Sequence, residues 1–348
     1  MTGRLEHLLG ISEPIVLGPF GGASSLELTA LVSEAGGLGS YGLYGYSGER
    51  IHKTITALRA RTPRPFAVNL WLPTGDEVVP ADVDLAPYFD ALAPLYTAAG
   101  VSAPEPPDAF LPAIDEQLSA VMTAAPAVLS VVFGVPPAAV IAEAHDRGIL
   151  VVGTATTVAE AVALDEAGVD AIVASGAEAA GHRVSFLDAA ERSLVGAFSL
   201  VPQVVDAVRA PVIAAGGIAD RRGVAAALAL GASGVQVGTA FLRTRQSVVP
   251  DAHRHAIAAA VDTGTVLTRA MSGRMARGIP NRAMRTIEAS GLIAPFPAQN
   301  WLTGMFRAEA ARRDDGELLS LWAGQSAALA THDDAHEVYR ELQLGLPH

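Results

Sequence analysis

Short apolar runs rich in Val, Ile and Leu recur along the chain, each closed by a Gly-rich or polar turn and followed by an Ala/Leu-rich stretch with helical spacing. Strands buried on both faces read as continuous apolar runs, so this alternation predicts a parallel sheet covered by helices. Eight strands are expected, at Pro14–Phe20, Gly37–Gly42, Phe66–Trp71, Val128–Phe133, Ile149–Gly153, Ala171–Ser175, Pro211–Ala215 and Gly234–Gly238. Helices are expected at Leu26–Ala35, Glu49–Arg61, Pro137–Arg147, Val158–Ala167, Leu200–Val208 and Arg221–Leu230, several running into a Gly suited to a C-cap, with Asp220 placed to cap the last. Eight such units predict an α/β fold, a closed (β/α)8 TIM barrel.

Two stretches exceed the barrel repeat. Residues 73–127, rich in Pro, Asp and Ala, are too long for one crossover, and residues 245–348 continue as helix and loop without a strand pattern. Both are expected to fold over the barrel mouth as a helical cap within a single domain spanning 1–348, because no Gly/Ser linker separates them from the barrel.

Composition narrows the function. Half of the residues are apolar, enough for a full core. A formal charge of −12 without any Lys/Arg-rich block argues against nucleic acid as a partner and for a small molecule. With no cysteine, disulfides, thiolate nucleophiles and cysteinyl metal sites are excluded. The N-terminus lacks a secretory apolar core and no run approaches the roughly 20 apolar residues of a membrane helix, so a cytoplasmic protein without a membrane partner is expected. A homo-oligomer stays open.

The strongest chemical signal is Ala215-Gly216-Gly217-Ile218-Ala219-Asp220 at the end of the seventh strand, followed one helix later by Gln236-Val237-Gly238-Thr239 at the end of the eighth. In a closed barrel these two loops are where a phosphate commonly sits, held by bare backbone N–H groups that a Cβ would obstruct. The sixth strand runs into Ser175-Gly176-Ala177-Glu178-Ala179-Ala180-Gly181-His182-Arg183, which brings an imidazole to the catalytic face, where it can donate to an anion or accept a proton. Asn69 places an amide among apolar neighbours in the third strand, to bond either a ligand or a loop.

These stretches, in this order and over essentially the whole chain, resemble the nitronate monooxygenase family, formerly called 2-nitropropane dioxygenases. The resemblance extends to Pro14-Ile15-Val16, Ala35-Gly36-Gly37-Leu38-Gly39-Ser40, Pro65-Phe66-Ala67-Val68-Asn69-Leu70, Gly153-Thr154-Ala155-Thr156-Thr157, Ser272-Gly273-Arg274, Ala276-Arg277-Gly278 and Leu321-Trp322-Ala323-Gly324-Gln325. It implies an FMN barrel in which Asn69, the sixth-strand loop with Ser175, Ala180 and Gly181, the pair Gly216 and Gly217, and Gln236, Val237, Gly238 and Thr239 hold the cofactor, and His182 is the active-site histidine. The implied reaction is FMN-dependent oxidation of alkyl nitronates by O2 to a carbonyl compound and nitrite. His182 would bind the nitronate or, with an ordinary pKa of ~6.5, deprotonate a nitroalkane. Three positions depart from the family: Ser175 where Gln is usual, Ala180 where a second glycine is usual, and Phe20 where methionine is usual. The same resemblance admits an NAD(P)H-dependent FMN reductase of the enoyl-acyl carrier protein or quinone reductase type, or a flavin-binding barrel without this activity.

Other motifs carry less. Gly37-Leu38-Gly39-Ser40-Tyr41-Gly42 matches a dinucleotide fingerprint in letters, but it follows a helix and lies within a strand. His332 and His336, four apart beside Asp333 and Asp334, read as a solvated helix face, and His253 and His255 point to different sides of a helix, so no metal is expected. Lys53, the only lysine, lies on a helix, which removes a strand-borne Schiff base.

Overall fold

The computed structural model describes residues 4–347. Its eight barrel strands are β1 (Ile15–Leu17), β2 (Gly39–Gly42), β3 (Phe66–Trp71), β4 (Val128–Val132), β5 (Leu150–Ala155), β6 (Ala171–Ser175), β7 (Val212–Ala215) and β8 (Gly234–Val237). All pair in parallel in chain order, and β8 returns to β1 with Ile15 opposite Val235. The seam between β1 and β2 is a single bridge, Val16 to Leu38, fastened by Leu17 N–H to Leu38 O and Leu38 N–H to Ile15 O, both 2.9 Å. The expected TIM barrel is therefore the fold, with strand ends displaced by three residues or fewer from the sequence reading.

Strand alternation sorts the side chains. On β3, Phe66, Val68 and Leu70 enter the core beneath the helices, while Ala67 and Asn69 face the barrel axis. The lower half of the interior is apolar, built from Val16, Ala67, Val128, Val152, Val173 and Ile213, and the helix Arg4–Leu9 closes that end with Leu5 and Leu9. Gly234 leaves the space that Leu5 fills, since a Cβ there would lie 2.6 Å from Leu5 Cδ2. Towards the C-terminal ends the axis-facing positions turn polar or small, with Asn69, Ser130, Thr154, Ser175 and Gln236 near Gly18 and Gly238. That change is what opens a cavity above a packed core.

The expected helices form, several on the caps that their sequences supply. Ser25, Ser47, Thr157 and Asp220 accept backbone N–H groups at the starts of Leu26–Glu34, Gly48–Arg59, Val158–Ala167 and Arg221–Ala229, and Gly168 ends the third of these in the left-handed conformation.

The two long stretches divide differently from the expectation. Within 73–127, the helix Ile114–Ala124 buries Leu118, Val121 and Met122 in the main core as the helix between β3 and β4. At the other end, Ala335–Gln343 buries Val338, Tyr339 and Leu342 in the same core and completes the outer ring after β8. The remainder makes the cap, a second core of Leu92, Leu95 and Tyr96 from Ala86–Ala99, Met284 and Ile287 from Arg282–Ser290, and Leu302 and Phe306 from Ala298–Arg313. Residues beyond 245 also contain strands, contrary to the sequence reading. Val266–Thr268 and Ala276–Gly278 form an antiparallel sheet with Gly181–His182. Runs this short carry no periodicity, and the pairing of Ala276 with His182 joins residues far apart in sequence.

Candidate functional site

A cavity of about 670 Å³ lies between the barrel mouth and the cap, within the range of cofactor sites. At one end its wall is backbone. Gly216 and Gly217 have φ of 98° and 76°, which L side chains rarely adopt, and nothing lies within 4 Å of a Cβ placed on Gly181. Gly216 is needed for packing, since a Cβ there would stand 3.0 Å from Ala179 N, whereas Gly217 and Gly181 leave their backbone bare to the cavity. Gly238, Thr239, Gly324 and Ser326 continue this wall, with Gly324 N–H donating to Thr239 Oγ1 at 3.0 Å. Beside it, Asn69 Nδ2 donates to Ser130 Oγ and O at 2.9 and 3.3 Å, so the amide is fixed with its Oδ1 still available to accept.

The loop after β6 is held by buried charges. Arg183, 2% exposed, donates to the carbonyls of Gly176 at 2.6 Å and of Ser175 and Ser193 at 3.1 Å. Both carboxylate oxygens of Glu178 accept Ala197 N–H at 2.9 Å, at the start of the helix Ala197–Ala207, and Arg277 Nε donates to Ala177 O at 2.9 Å. Pairing of Ala276 with His182 then sets the histidine backbone.

The imidazole lies among side chains from four segments. Trp71 and Trp322 approach it edge-on, with ring centroids at 4.8 and 5.4 Å. Nε2 is 2.8 Å from Ser272 Oγ, and that hydroxyl also lies 3.1 Å from Arg274 O. Giving its one hydrogen to the carbonyl, Ser272 receives Nε2–H, which assigns the tautomer and leaves Nδ1 as the lone-pair nitrogen. Burial, with the positive charges of Arg274 and Arg307, pushes the His182 pKa down to about 3. The sequence reading had given this histidine an ordinary pKa; in the fold it is neutral at physiological pH.

The two arginines differ in their surroundings. Arg274 lies over the rings of Phe296 and Phe133, 4.0 and 4.6 Å from their centroids, and its Nη2 bonds Asp76 at 2.5 Å and Glu77 at 2.6 Å. Against a burial that would raise them, the Thr74 hydroxyl and Arg274 hold Asp76 below its usual range, and the Thr74 backbone N–H and Arg274 do the same for Glu77. Arg307 has only neutral partners, Asn300 O and Oδ1 at 2.7 and 2.8 Å and Ser320 Oγ at 3.3 Å, and its Nε is buried without an acceptor among the described residues. Burial lowers its pKa to about 10, so it stays cationic at neutral pH.

Of the residues singled out from sequence, Asn69, Ser175, Ala180, Gly181, His182, Gly216, Gly217, Gln236, Gly238 and Thr239 all line this one cavity. Val237 does not, because strand alternation turns its side chain into the core beneath the helices, where it is fully buried. The departures at Phe20, Ser175 and Ala180 are all in the lining. Phe296, Asn300 and Arg307 were missed, since a cap residue reaches the cavity only through tertiary contact. Trp71, at the end of β3, and Tyr44, just after β2, were missed although their strand-end positions could have signalled them. Ser272, Arg274 and Trp322 had been noticed as motif letters without a role. His253 also lines the cavity, its Nε2 donating to Trp322 O at 3.0 Å and so positioning that indole segment. Among the described residues no cluster suits a metal ion, and no helix is long and apolar enough to cross a membrane.

Comparison with known proteins identifies the family. The chain is 39% identical over 343 residues to the Staphylococcus saprophyticus protein named "Probable nitronate monooxygenase", covering 96% of this chain and 95% of the relative. Staphylococcus aureus proteins of the same name are 39% identical over 351 residues, covering 97% and 96%. Among solved structures, nitroalkane oxidase from Streptomyces ansochromogenes superposes with a TM-score of 0.87 at 36% identity, covering 98% of this chain and 96% of that one. FabK from Thermotoga maritima superposes with a TM-score of 0.76 at 30% identity, covering 97% and 94%. The family model described as nitronate monooxygenase matches residues 3–345, and the chain belongs to the nitronate monooxygenase family of oxidoreductases.

Proposed function

We propose that the protein oxidises alkyl nitronates with O2 to a carbonyl compound and nitrite, using FMN. The observation that carries this reading is a histidine bonded to Ser272 and flanked by two tryptophan rings, in a cavity whose wall also holds bare glycine backbone and the Arg307 guanidinium. Such a cavity suits a phosphorylated cofactor at one end and an anionic substrate at the other.

The residues fit FMN. Gly217, Gly238 and Thr239 would take the phosphate, and Asn69 Oδ1, Ser175 and Gln236 would bond the ring system. When bound, FMN supplies the electron-transfer chemistry that no side chain here provides. The work of the protein is then to hold and shield. Trp71, Trp322 and Phe296 exclude water from around His182, and Ser272 fixes its ring. An anion in the cavity offsets Arg274 and Arg307 and raises the proton affinity of Nδ1. A nitronate beside Nδ1 therefore favours proton uptake there against the burial that opposes it, and the imidazole then donates to a nitronate oxygen. Towards a neutral nitroalkane the same nitrogen is a poor base, because burial disfavours the imidazolium and no anion is present to offset the arginines.

Anaerobic mixing of the FMN-loaded protein with ethyl nitronate tests the reading. Flavin bleaching, with nitrite released on admission of O2, is the expected result. The alternative admitted by the family resemblance, an NAD(P)H-dependent reductase, predicts rapid bleaching by NADH and none by the nitronate.

A further inference from the structure

Four charged side chains reach the cavity wall besides the histidines: Glu178, Arg307, Arg312 and, through its stack on Phe296, Arg274. Three are already paired. Glu178 is taken by Ala197 N–H, Arg312 by Glu309, and Arg274 by Asp76 and Glu77. Arg307 alone has no carboxylate partner among the described residues, and its Nη1 makes one long bond, 3.3 Å, to Ser320 Oγ. A cation half-removed from water and left without a counter-charge costs stability unless a ligand supplies the charge. The nearby Tyr44 hydroxyl accepts from Asn300 Nδ2 at 3.3 Å, which leaves its own hydrogen unassigned, and burial pushes that phenol up, so it stays a donor.

We propose that Arg307 and the Tyr44 hydroxyl form an anchor for a planar oxyanion on the substrate, so that the enzyme selects anionic over neutral substrates through Arg307. This rests on the nitronate reading for its substrate, but not for the anion site itself. Nitronates and carboxylates both present two coplanar oxygens to a guanidinium fork. The anchored group is therefore either the reacting nitronate or a carboxylate at the far end of the same molecule.

The test titrates the FMN-loaded protein with nitrate by calorimetry, so that the glycine end is filled and turnover plays no part. Charge-assisted hydrogen bonds are worth about 1.5–3 kcal/mol, so Arg307→Met is expected to weaken nitrate about 10- to 100-fold, with Arg307→Lys in between. Tyr44→Phe, which keeps the charge network, is expected to weaken it by about 3- to 10-fold and decides the matter if Arg307→Met does not fold. Kinetics then separate the two sources. A rise in KM for both ethyl nitronate and a nitronate bearing a terminal carboxylate assigns the anchor to the reacting group. A rise confined to the second assigns it to the tail, and either result supports the anchor. Unchanged nitrate affinity in Arg307→Met and Tyr44→Phe overturns it, even if nitronates are oxidised. Tight nitrate binding that Arg307→Met abolishes, in an enzyme that oxidises no nitronate, keeps the anchor and discards the substrate assignment.

Discussion

The two ends of the cavity are built in opposite ways. The barrel end is backbone and short side chains delivered by strand ends, whereas the cap end is long cations and aromatic rings delivered by segments far apart in sequence. At the barrel end position follows from the strands, so there is little rotamer freedom to remove. At the cap end each group is held by a chain of partners, as Arg274 is by Asp76 and Glu77, or His182 by Ser272. On the proposed function, the contrast separates rigid cofactor support from adjustable substrate recognition.

Substitution at the barrel end is expected to do the most damage. Gly217→Val combines a backbone conformation that costs a β-branched residue on the order of 1–2 kcal/mol with methyl groups in the cradle, so the purified protein should carry little FMN, as its absorbance spectrum would show. If flavin content is normal, the division between the two ends is wrong. His182→Ala removes the group at the meeting point of the two ends. It is expected to lower kcat/KM for nitronates by about 10²–10⁴ while flavin stays bound.

A weaker effect is expected one contact further out. Ser272→Ala leaves Nε2–H without its acceptor and should cost about 10- to 100-fold in kcat/KM, with a changed pH profile, because the tautomer is no longer fixed. A variant indistinguishable from the parent would show that the tryptophan rings alone hold the imidazole.

The smallest effect concerns acid stability. His182 and His253 are held neutral down to about pH 3 and 4 respectively, whereas in the unfolded chain both protonate near ~6.5. Between these limits the unfolded state binds more protons, so stability falls as pH drops from ~6.5 towards 4, by up to about 1.4 kcal/mol per pH unit for each proton. His253→Asn keeps a donor for Trp322 O but takes up no proton, so its Tm should fall less steeply than that of the parent over this window. Equal slopes would place the acid sensitivity elsewhere.

The amino-acid sequence by itself determined the barrel and its glycine-lined end. Burial on both faces leaves a continuous apolar run, and a close approach to backbone demands glycine, so both constraints act at the residue where they are read. The motif Gly181-His182-Arg183 likewise located the imidazole, because strand order alone brings it to the mouth. Tertiary structure decided what that imidazole is. Its depressed proton affinity comes first from burial under the cap and then from Arg274 and Arg307, about 90 and 125 residues further along the chain, and its tautomer from Ser272. It also decided which arginine is paired, and that Ile114–Ala124 and Ala335–Gln343 belong to the barrel rather than the cap. Charge balance and desolvation depend on distances in space, and a chain folded over its own barrel sets those distances independently of local pattern.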